Sequence, residues 1–275
     1  MRLPASFVPV LVIAVALVSL MAMRVSGAPN GSLAVQAIAF VLAALLALPK
    51  RTAAWVESVD ARWLGGAILL VTIAVLVAGV EIEGARRWLR VGPVLLHPAS
   101  LLGSILLLAL ARGPGNAWCT IPSGAAIVCF GLGNDGAASL AFALGSSALL
   151  LVERKEWKTL LPLCVLAWCM AAWGWTRPDT LAPVPWVEQI ISQTWTASEL
   201  LGIAAGVLLA MLPLPFVLAA LEPGRRSAGL ALAGFWIGLL VAGLVGNYPV
   251  PVIGYGASPV IGWLLALRLV SSRSA

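Results

Sequence analysis

Ten hydrophobic segments constrain this chain more than any other feature of its sequence. A bilayer core is crossed by about 20 apolar residues in an α-helix, and backbone groups in lipid must be satisfied within the segment. Because 61% of the 275 residues are hydrophobic and only 10% are charged, little remains to build a soluble domain. The sequence predicts an all-α, polytopic transmembrane bundle of about ten helices, formed by a single domain over residues 1–275. The segments cover about residues 5–23, 32–49, 62–80, 98–112, 118–133, 136–153, 158–175, 197–221, 227–246 and 257–271.

The cations in the short connections predict an orientation. Formal net charge is +6, and Lys and Arg are concentrated on one side of a bilayer when the N-terminus is placed in the cytoplasm. This membrane bias explains the basic balance, so we do not expect a nucleic-acid partner. The apolar stretch of the first segment is too long for a typical signal peptide, and Arg2 is the only cation before it. We therefore expect this segment to be a retained helix. The side predicted to be cytoplasmic holds Lys50, Arg51, Arg62, Arg112, Arg154, Lys155, Lys158, Arg225, Arg226 and Arg273.

One connection on the predicted outer side breaks this rule. Residues 79–100 read GVEIEGARRWLRVGPVLLHPAS, with Arg86, Arg87 and Arg90 around Trp88. In so apolar a chain, we expect all three cations to face water or an anion. The rigid fork of donors on Arg suits phosphate oxygens. The stretch is therefore interpreted either as a binding loop for a polyanionic ligand at the membrane surface or as a solvated loop that touches lipid headgroups.

Two further segments carry candidate functional residues. Asp135 lies between apolar segments, where it is either a carboxylate at membrane depth, and so a functional candidate, or part of an interfacial Asn-Asp-Gly turn. Residues 247–258 read NYPVPVIGYGAS, which is too rich in Pro and Gly for a regular helix. We expect a partly re-entrant outer loop there, with an ordinary connector as the alternative.

The predicted outer connection of residues 176–192 contains acidic residues. Glu188 and Asp179 lie there, and a carboxylate near the arginines is a candidate general base, with a solvated loop charge as the alternative. His97, the only histidine, stands just before Pro98 and is predicted to cap a helix or lie at the interface rather than to catalyse. The sequence contains no metal-ligand cluster and identifies no cofactor.

Several of these motifs together resemble the SEDS family (shape, elongation, division and sporulation). Residues 83–88, EGARRW, followed by 97–100, HPAS, are similar to the family's NGARRW and QPSE motifs. Residues 249–259 are similar to its PLPFxSYGGSS segment at both prolines, Tyr255, Gly256 and Ser258. Residues 133–138 resemble its QPDLGT motif only at the acid, Asp135. The resemblance implies a ten-helix bundle in the bacterial inner membrane with a cytoplasmic N-terminus.

The resemblance also implies a function and its residues. It implies a peptidoglycan glycosyltransferase that polymerises lipid II, or uses another polyprenyl-diphosphate-linked sugar, in cell elongation or division. It implies a class B penicillin-binding transpeptidase as partner, with membrane lipids around the bundle. Glu188 is then the candidate base and Asp135 a candidate buried acid. The implied substrate-binding residues are Arg86, Arg87, Arg90, Trp88, Tyr255 and Ser258.

Departures from the family pattern leave a second hypothesis open. The Glu of QPSE is Ser100 here, and the Lys one turn further on is Gly103, so charges that would pair with Asp135 are absent. The outer connection is shorter than in the family, and another alignment of it puts Ile191 or Ser192 in place of Glu188. The alternative is a non-catalytic SEDS relative that binds a lipid-linked precursor or scaffolds a cell-wall synthesis partner. Transport of a lipid-linked sugar is a third option.

Overall fold

The protein is described by a computed structural model over residues 7–92, 94–177 and 181–272. Each of the ten hydrophobic segments contains one long apolar helix, so the predicted polytopic helical bundle is confirmed. Six helical segments within the described residues are long and apolar enough to cross a membrane, and four shorter apolar helices accompany them. The long helices are α1 (Phe7–Val25), α2 (Asn30–Ala47), α4 (Ala61–Ala78), α5 (Pro98–Arg112), α6 (Ala117–Leu132), α7 (Gly136–Val152), α8 (Trp157–Thr176), α10 (Glu199–Met211), α12 (Arg226–Val245) and α13 (Ala257–Ser272).

Three short helices lie between the long ones: α3 (Lys50–Ser58), α9 (Ile190–Ala197) and α11 (Leu214–Ala219). The last of them results from two prolines. Pro213 and Pro215 interrupt the eighth hydrophobic segment, and the chain forms two successive helices there, α10 and α11. Proline removes a backbone donor and clashes with the preceding turn, so the helix is interrupted there. Leu212 and Pro213, between the two helices, keep right-handed helical dihedrals, and Glu199–Ala219 remains one helical span.

The arginine-rich connection is a small β-sheet rather than a loop. Strands β1 (Val80–Ile82), β2 (Ala85–Val91) and β3 (Val94–Leu96) pair antiparallel in the order β1-β2-β3. Glu83 and Gly84 connect the first two strands, and both have positive φ, at 47° and 82°. This geometry matches the two-residue turn that the twist of a hairpin favours. The prediction of an all-α chain therefore missed one element, and that element carries the arginines.

The core is built largely from close helix approaches. Helices α7 and α12 pack along a line of small residues, where a Cβ added to Gly234 would lie 2.7 Å from the carbonyl oxygen of Leu144. Small residues let membrane helices approach closely where no water drives their association. Buried apolar side chains from the helices form one continuous cluster, with Trp236, Trp263 and Phe142 among its largest members.

The connections fall on two opposite ends of the bundle. At one end, which we call the sheet end, the amide N–H of Arg86 donates to Gly133 O at 3.0 Å. At the opposite end, Arg112 Nη1 donates to Val56 O at 3.1 Å and Arg225 Nη2 to Ser271 O at 2.8 Å. This grouping agrees with the predicted division of the connections. That the sheet end faces outward stays a prediction from charge.

Candidate functional site

Strand β2 separates its arginines onto two faces. Successive side chains of a strand point in opposite directions. Arg86 and Arg90 are exposed, whereas Arg87 is buried with 3% of its surface accessible. Arg87 does not face water, because the connection is a strand whose other face packs on the bundle, and the anion near it is the buried carboxylate of Asp135. On the exposed face, an Arg86 guanidinium nitrogen lies 2.6 Å from Glu81 Oε2.

Arg87 makes its contacts inside the protein. Its Nε donates to the carbonyl oxygen of Asn134 at 2.8 Å. Its guanidinium carbon lies 4.9 Å from the ring centroid of Tyr248 and 5.7 Å from that of Trp88, within the range of a cation–π attraction. Arg87 thus joins the sheet to the turn between α6 and α7 and to the segment before α13.

Asp135 lies in the turn between α6 and α7, and its carboxylate is buried within the protein. It is the N-cap of α7, where Oδ1 accepts from Ala138 N at 3.0 Å. Its Oδ2 lies 3.0 Å from His97 Nε2, and only 4% of the side chain is exposed. Asp135 lies outside the membrane-spanning helices. Burial by itself raises the pKa of its carboxyl, but the attraction and hydrogen bond of His97, with the attraction of Arg87, hold that pKa below its ordinary value.

His97 is the functional candidate whose partner sequence reasoning missed. The predicted capping role is present, since His97 is the N-cap of α5 and its Nδ1 accepts from Ser100 N at 3.2 Å. Its backbone N–H donates to Ser258 Oγ at 2.8 Å, which gives the buried Ser258 a structural contact. The ion-pair contact with Asp135 joins residues 38 positions apart in the chain, so no local pattern indicated it. We call Arg87, Asn134, Asp135 and His97 the charged cluster.

The interior of the charged cluster is nearly full. A cavity of about 10 Å³ lies beside Arg86, Arg87 and Asp135, with Phe130 and Cys129 on its other side. A space of that size holds about one water molecule. A group much larger than a water molecule therefore does not fit within the cluster.

A second buried polar assembly fixes the segment before α13. Gln36, fully buried in α2, places its Nε2 3.1 Å from both Val252 O and Gly254 O, and its Oε1 accepts from Gly256 N at 3.0 Å. Ser19 Oγ of α1 donates to the carbonyl of residue 253 at 2.9 Å. We call Gln36, Ser19 and residues 252–256 the amide cluster. It confirms that this segment is an irregular turn surrounded by protein and not a helix.

The amide cluster holds a strained backbone. Val252 has φ of 65°, in the left-handed region that a β-branched residue rarely adopts. Such conformations persist only where the surroundings determine them, and they concentrate at functional sites. Two carbonyls and one N–H of this turn are tied to a single side chain, Gln36, which accounts for how the strain is maintained.

Glu188 lies in a turn that packs on this segment. Val250 N donates to Val187 O at 3.2 Å, and the half-buried Tyr255 donates its backbone N–H to Trp186 O at 3.0 Å. The Glu188 carboxylate accepts from Val184 N at 2.8 Å. Glu188 and Tyr255, far apart in the sequence, therefore belong to one assembly at the sheet end.

Two other residues of this connection bear on the predictions. Asp179 lies outside the described residues. Ile191 and Ser192, the alternatives to Glu188 in the other alignment, lie on α9. One of them, Ser192, donates its hydroxyl to Gln189 O at 2.8 Å.

Residues 248–258 join the two assemblies. The Tyr248 ring lies under Arg87 and 5.7 Å from the ring of Trp175, whose Nε1 donates to Gly136 O at 3.3 Å. Residues 252–256 belong to the amide cluster, and Ser258 contacts His97. The structure thus brings the motifs of residues 83–100, 133–138 and 249–259 together at one end of the bundle.

Comparison with known proteins places the fold. No family model and no curated protein sequence matches the chain. The rod shape determining protein RodA of Thermus thermophilus superposes with a TM-score of 0.65 at 24% identity, over 96% of this chain and 94% of RodA. A mutant of the same RodA gives a TM-score of 0.64 at 24% identity, over 96% and 95%.

A third solved structure agrees with these two. It is a peptidoglycan synthase complex that coordinates polymerization and crosslinking, and one of its chains matches with a TM-score of 0.65 at 26% identity. The match covers 94% of this chain and 95% of that chain. The fold predicted from the motifs is thereby confirmed over nearly the whole chain.

Proposed function

This chain has the fold of the SEDS protein RodA, and from that premise we propose that it is a membrane-bound peptidoglycan glycosyltransferase that polymerises lipid II. The observation that carries the proposal is the joint placement of exposed arginines, Asp135 and the Glu188 turn at one end of a RodA-like bundle. This protein is also similar to one chain of a peptidoglycan synthase complex, and that similarity supports a role in the same process.

The exposed face of strand β2, which we call the arginine strand, is the proposed diphosphate site. Arg86 and Arg90 project from it, and Arg90 makes no side-chain hydrogen bond or ion pair with any residue that the structure describes. Arginine binds phosphate through charge-assisted, often paired, hydrogen bonds. Trp88, on the same face, is half-buried at the base of these side chains. In this arrangement Arg87 supports the strand from behind, and the polyprenyl tail lies along the apolar helices among membrane lipids.

The proposed reaction is a substitution at an anomeric carbon. The Glu188 carboxylate removes the proton from the acceptor sugar hydroxyl, and that oxygen attacks the anomeric carbon of the growing chain. The bond from this carbon to the diphosphate oxygen breaks, so a glycosidic bond replaces it and polyprenyl diphosphate leaves. Arg86 and Arg90 stabilise the charge that develops on the leaving group. Tyr255 lies in the assembly that holds the Glu188 turn beside the acceptor.

A polymerisation assay tests the proposal. The full chain is incubated with lipid II, with and without a class B penicillin-binding transpeptidase, and glycan polymer is measured. Glu188→Gln keeps the side-chain shape but removes the base, so polymerisation should fall by about 10²–10⁴ while lipid II binding persists. Glu199→Gln, an exposed acid at the start of α10, is the matched control and should retain activity. Full activity of Glu188→Gln would assign the base to another residue.

A second candidate function is supported by two observations. The Glu188 carboxylate already accepts a hydrogen bond from Val184 N within its own turn. At Gly103, where the family has a lysine, an added Cβ would lie 2.6 Å from the ring of Phe235 and 3.3 Å from that of Phe142, so the space for a charged side chain is filled. These features favour a non-catalytic SEDS relative that binds the lipid-linked precursor or scaffolds a partner. Lipid II binding without polymer, with any transpeptidase, would select this function.

The proposal includes an orientation in the bacterial inner membrane. The cytoplasmic N-terminus predicted from charge places the sheet end on the outer side, where lipid II is polymerised. In a variant whose four native cysteines are replaced by alanine, Arg90→Cys should react with an impermeant thiol reagent in intact cells, and Lys155→Cys should not. Labelling at position 155 from outside would invert the orientation and exclude the proposed site.

A further inference from the structure

The only histidine of the chain uses both ring nitrogens inside the protein. Nε2 lies 3.0 Å from Asp135 Oδ2, and Nδ1 accepts from the backbone N–H of Ser100 at 3.2 Å. The Ser100 N–H is in the first turn of α5, where no carbonyl of the helix is available to it. Ser100 is buried, so this N–H depends on the lone pair of Nδ1.

These contacts fix a proton on Nε2. A bare Nε2 would place its lone pair against the carboxylate of Asp135, so Nε2 carries a proton and donates it to Oδ2. Nδ1 faces the Ser100 N–H at 3.2 Å and the Ser100 hydroxyl at 3.0 Å, and both contacts hold the ring at the first turn of α5.

The same contacts argue against His97 as a general base. Its ring is 18% exposed, but neither nitrogen is free to take a proton from a sugar hydroxyl. Asp135 is similarly occupied, with Oδ1 on Ala138 N and Oδ2 on His97. What the pair does is join the first turns of α5 and α7. Through Asn134 O and the attraction of Asp135 for Arg87, that junction extends to the arginine strand.

We propose that His97 is a positioning residue that donates from Nε2 to Asp135 and so holds Asp135, and with it the arginine strand, in the geometry that binds the diphosphate. This inference rests on the proposed function for its ligand, but not for the position of the ring proton. Where the family motif has a glutamine, His97 supplies the same pair of groups, one acceptor and one donor. The partner of Asp135 is therefore an N-cap residue of α5 and not a lysine one turn further on, where Gly103 leaves no room.

The position of the ring proton is tested without a ligand. Because the chain contains one histidine, a sample of the full chain labelled with 15N-histidine gives one imidazole spin system, whose two nitrogens report protonation directly. We expect a protonated Nε2 at neutral pH. A ring whose only proton is on Nδ1 would overturn the inference.

The positioning role is tested with two substitutions at one site. His97→Gln keeps an acceptor for Ser100 N and a donor for Asp135, so lipid II affinity should stay within about twofold of wild type. His97→Ala removes both, and affinity should fall by about tenfold to a hundredfold. Equal affinity of wild type and His97→Ala, or a loss in His97→Gln as large as in His97→Ala, would overturn the positioning role.

A third substitution tests the pathway of the effect. If His97 acts through Asp135, His97→Ala in an Asp135→Ala background should cause little further loss of affinity, because contacting residues are not additive. Additive losses would contradict the pathway. If wild type does not bind lipid II at all, the proposed function fails, while the 15N measurement still decides the position of the ring proton.

Discussion

Two buried polar assemblies each hold one segment of the chain in place at the sheet end, but through different interactions. The charged cluster holds the arginine strand through Arg87, Asp135 and His97, so its members attract one another as ions and dipoles. The amide cluster holds residues 252–256 through Gln36, which carries no charge and contacts only backbone groups and a serine. The stability of the charged cluster depends on the balance of its charges, and that of the amide cluster depends on the number of its hydrogen bonds.

This difference predicts how each assembly fails. Removing one member of a buried charged set leaves another charge uncompensated, and a buried charge is costly to leave in that state. Removing a neutral amide leaves several unpaired backbone groups, each with a smaller cost. Substitutions in the charged cluster should therefore destabilise the protein most, although fewer hydrogen bonds are lost there.

The largest expected effect is that of Asp135→Ala. It removes the carboxylate that attracts Arg87 and accepts from His97, and we expect the free energy of unfolding to fall by about 3–5 kcal/mol. The matched control is Asp60→Ala, because Asp60 is also a helix N-cap paired with an arginine, Arg62, but is exposed. Loss of that exposed cap should lower the free energy of unfolding much less than Asp135→Ala does. Equal losses in denaturant unfolding would show that burial of the charge is not what distinguishes the cluster.

Gln36→Leu should have the next largest effect. It leaves the carbonyls of Val252 and Gly254 and the N–H of Gly256 without their buried partner. At about 1 kcal/mol or more for each group, the loss in unfolding free energy should reach about 3 kcal/mol. Gln193→Leu, the same change on the exposed surface of α9, should lie within about 0.5 kcal/mol of wild type. A small effect of Gln36→Leu would mean that the strained turn at Val252 is held by other contacts.

The two assemblies also differ in how far they could be predicted. The residues of the charged cluster stood in motifs, and Asp135 and Arg87 were singled out because charges are rare in so apolar a chain. The side to which the Arg87 side chain points was not predictable. It depends on the register of strand β2, and the sequence pattern predicted a loop there. The contact of His97 with Asp135 follows from the packing of α5 against α7, which no local pattern specifies.

Gln36 gave no usable signal in the sequence. It is a polar residue in a mostly apolar helix, and its backbone partners are more than 200 positions away. Backbone acceptors are present at every residue, so no side chain elsewhere in the sequence marks the contact. The ten helices, in contrast, were predicted well, because the length and hydropathy of a segment determine directly whether it can cross a bilayer.

The measurement that tests the central claim most directly is the affinity of lipid II for arginine variants at the sheet end. Arg90→Ala removes an exposed donor and Arg87→Ala removes the support of the strand, so each should weaken binding about tenfold to a hundredfold. Arg24→Ala, an exposed arginine at the same end that is bonded only to Asn30 among the described residues, should stay within about twofold of wild type. Equal effects of all three substitutions would contradict the account, because the arginine strand would then be only a surface that meets lipid headgroups.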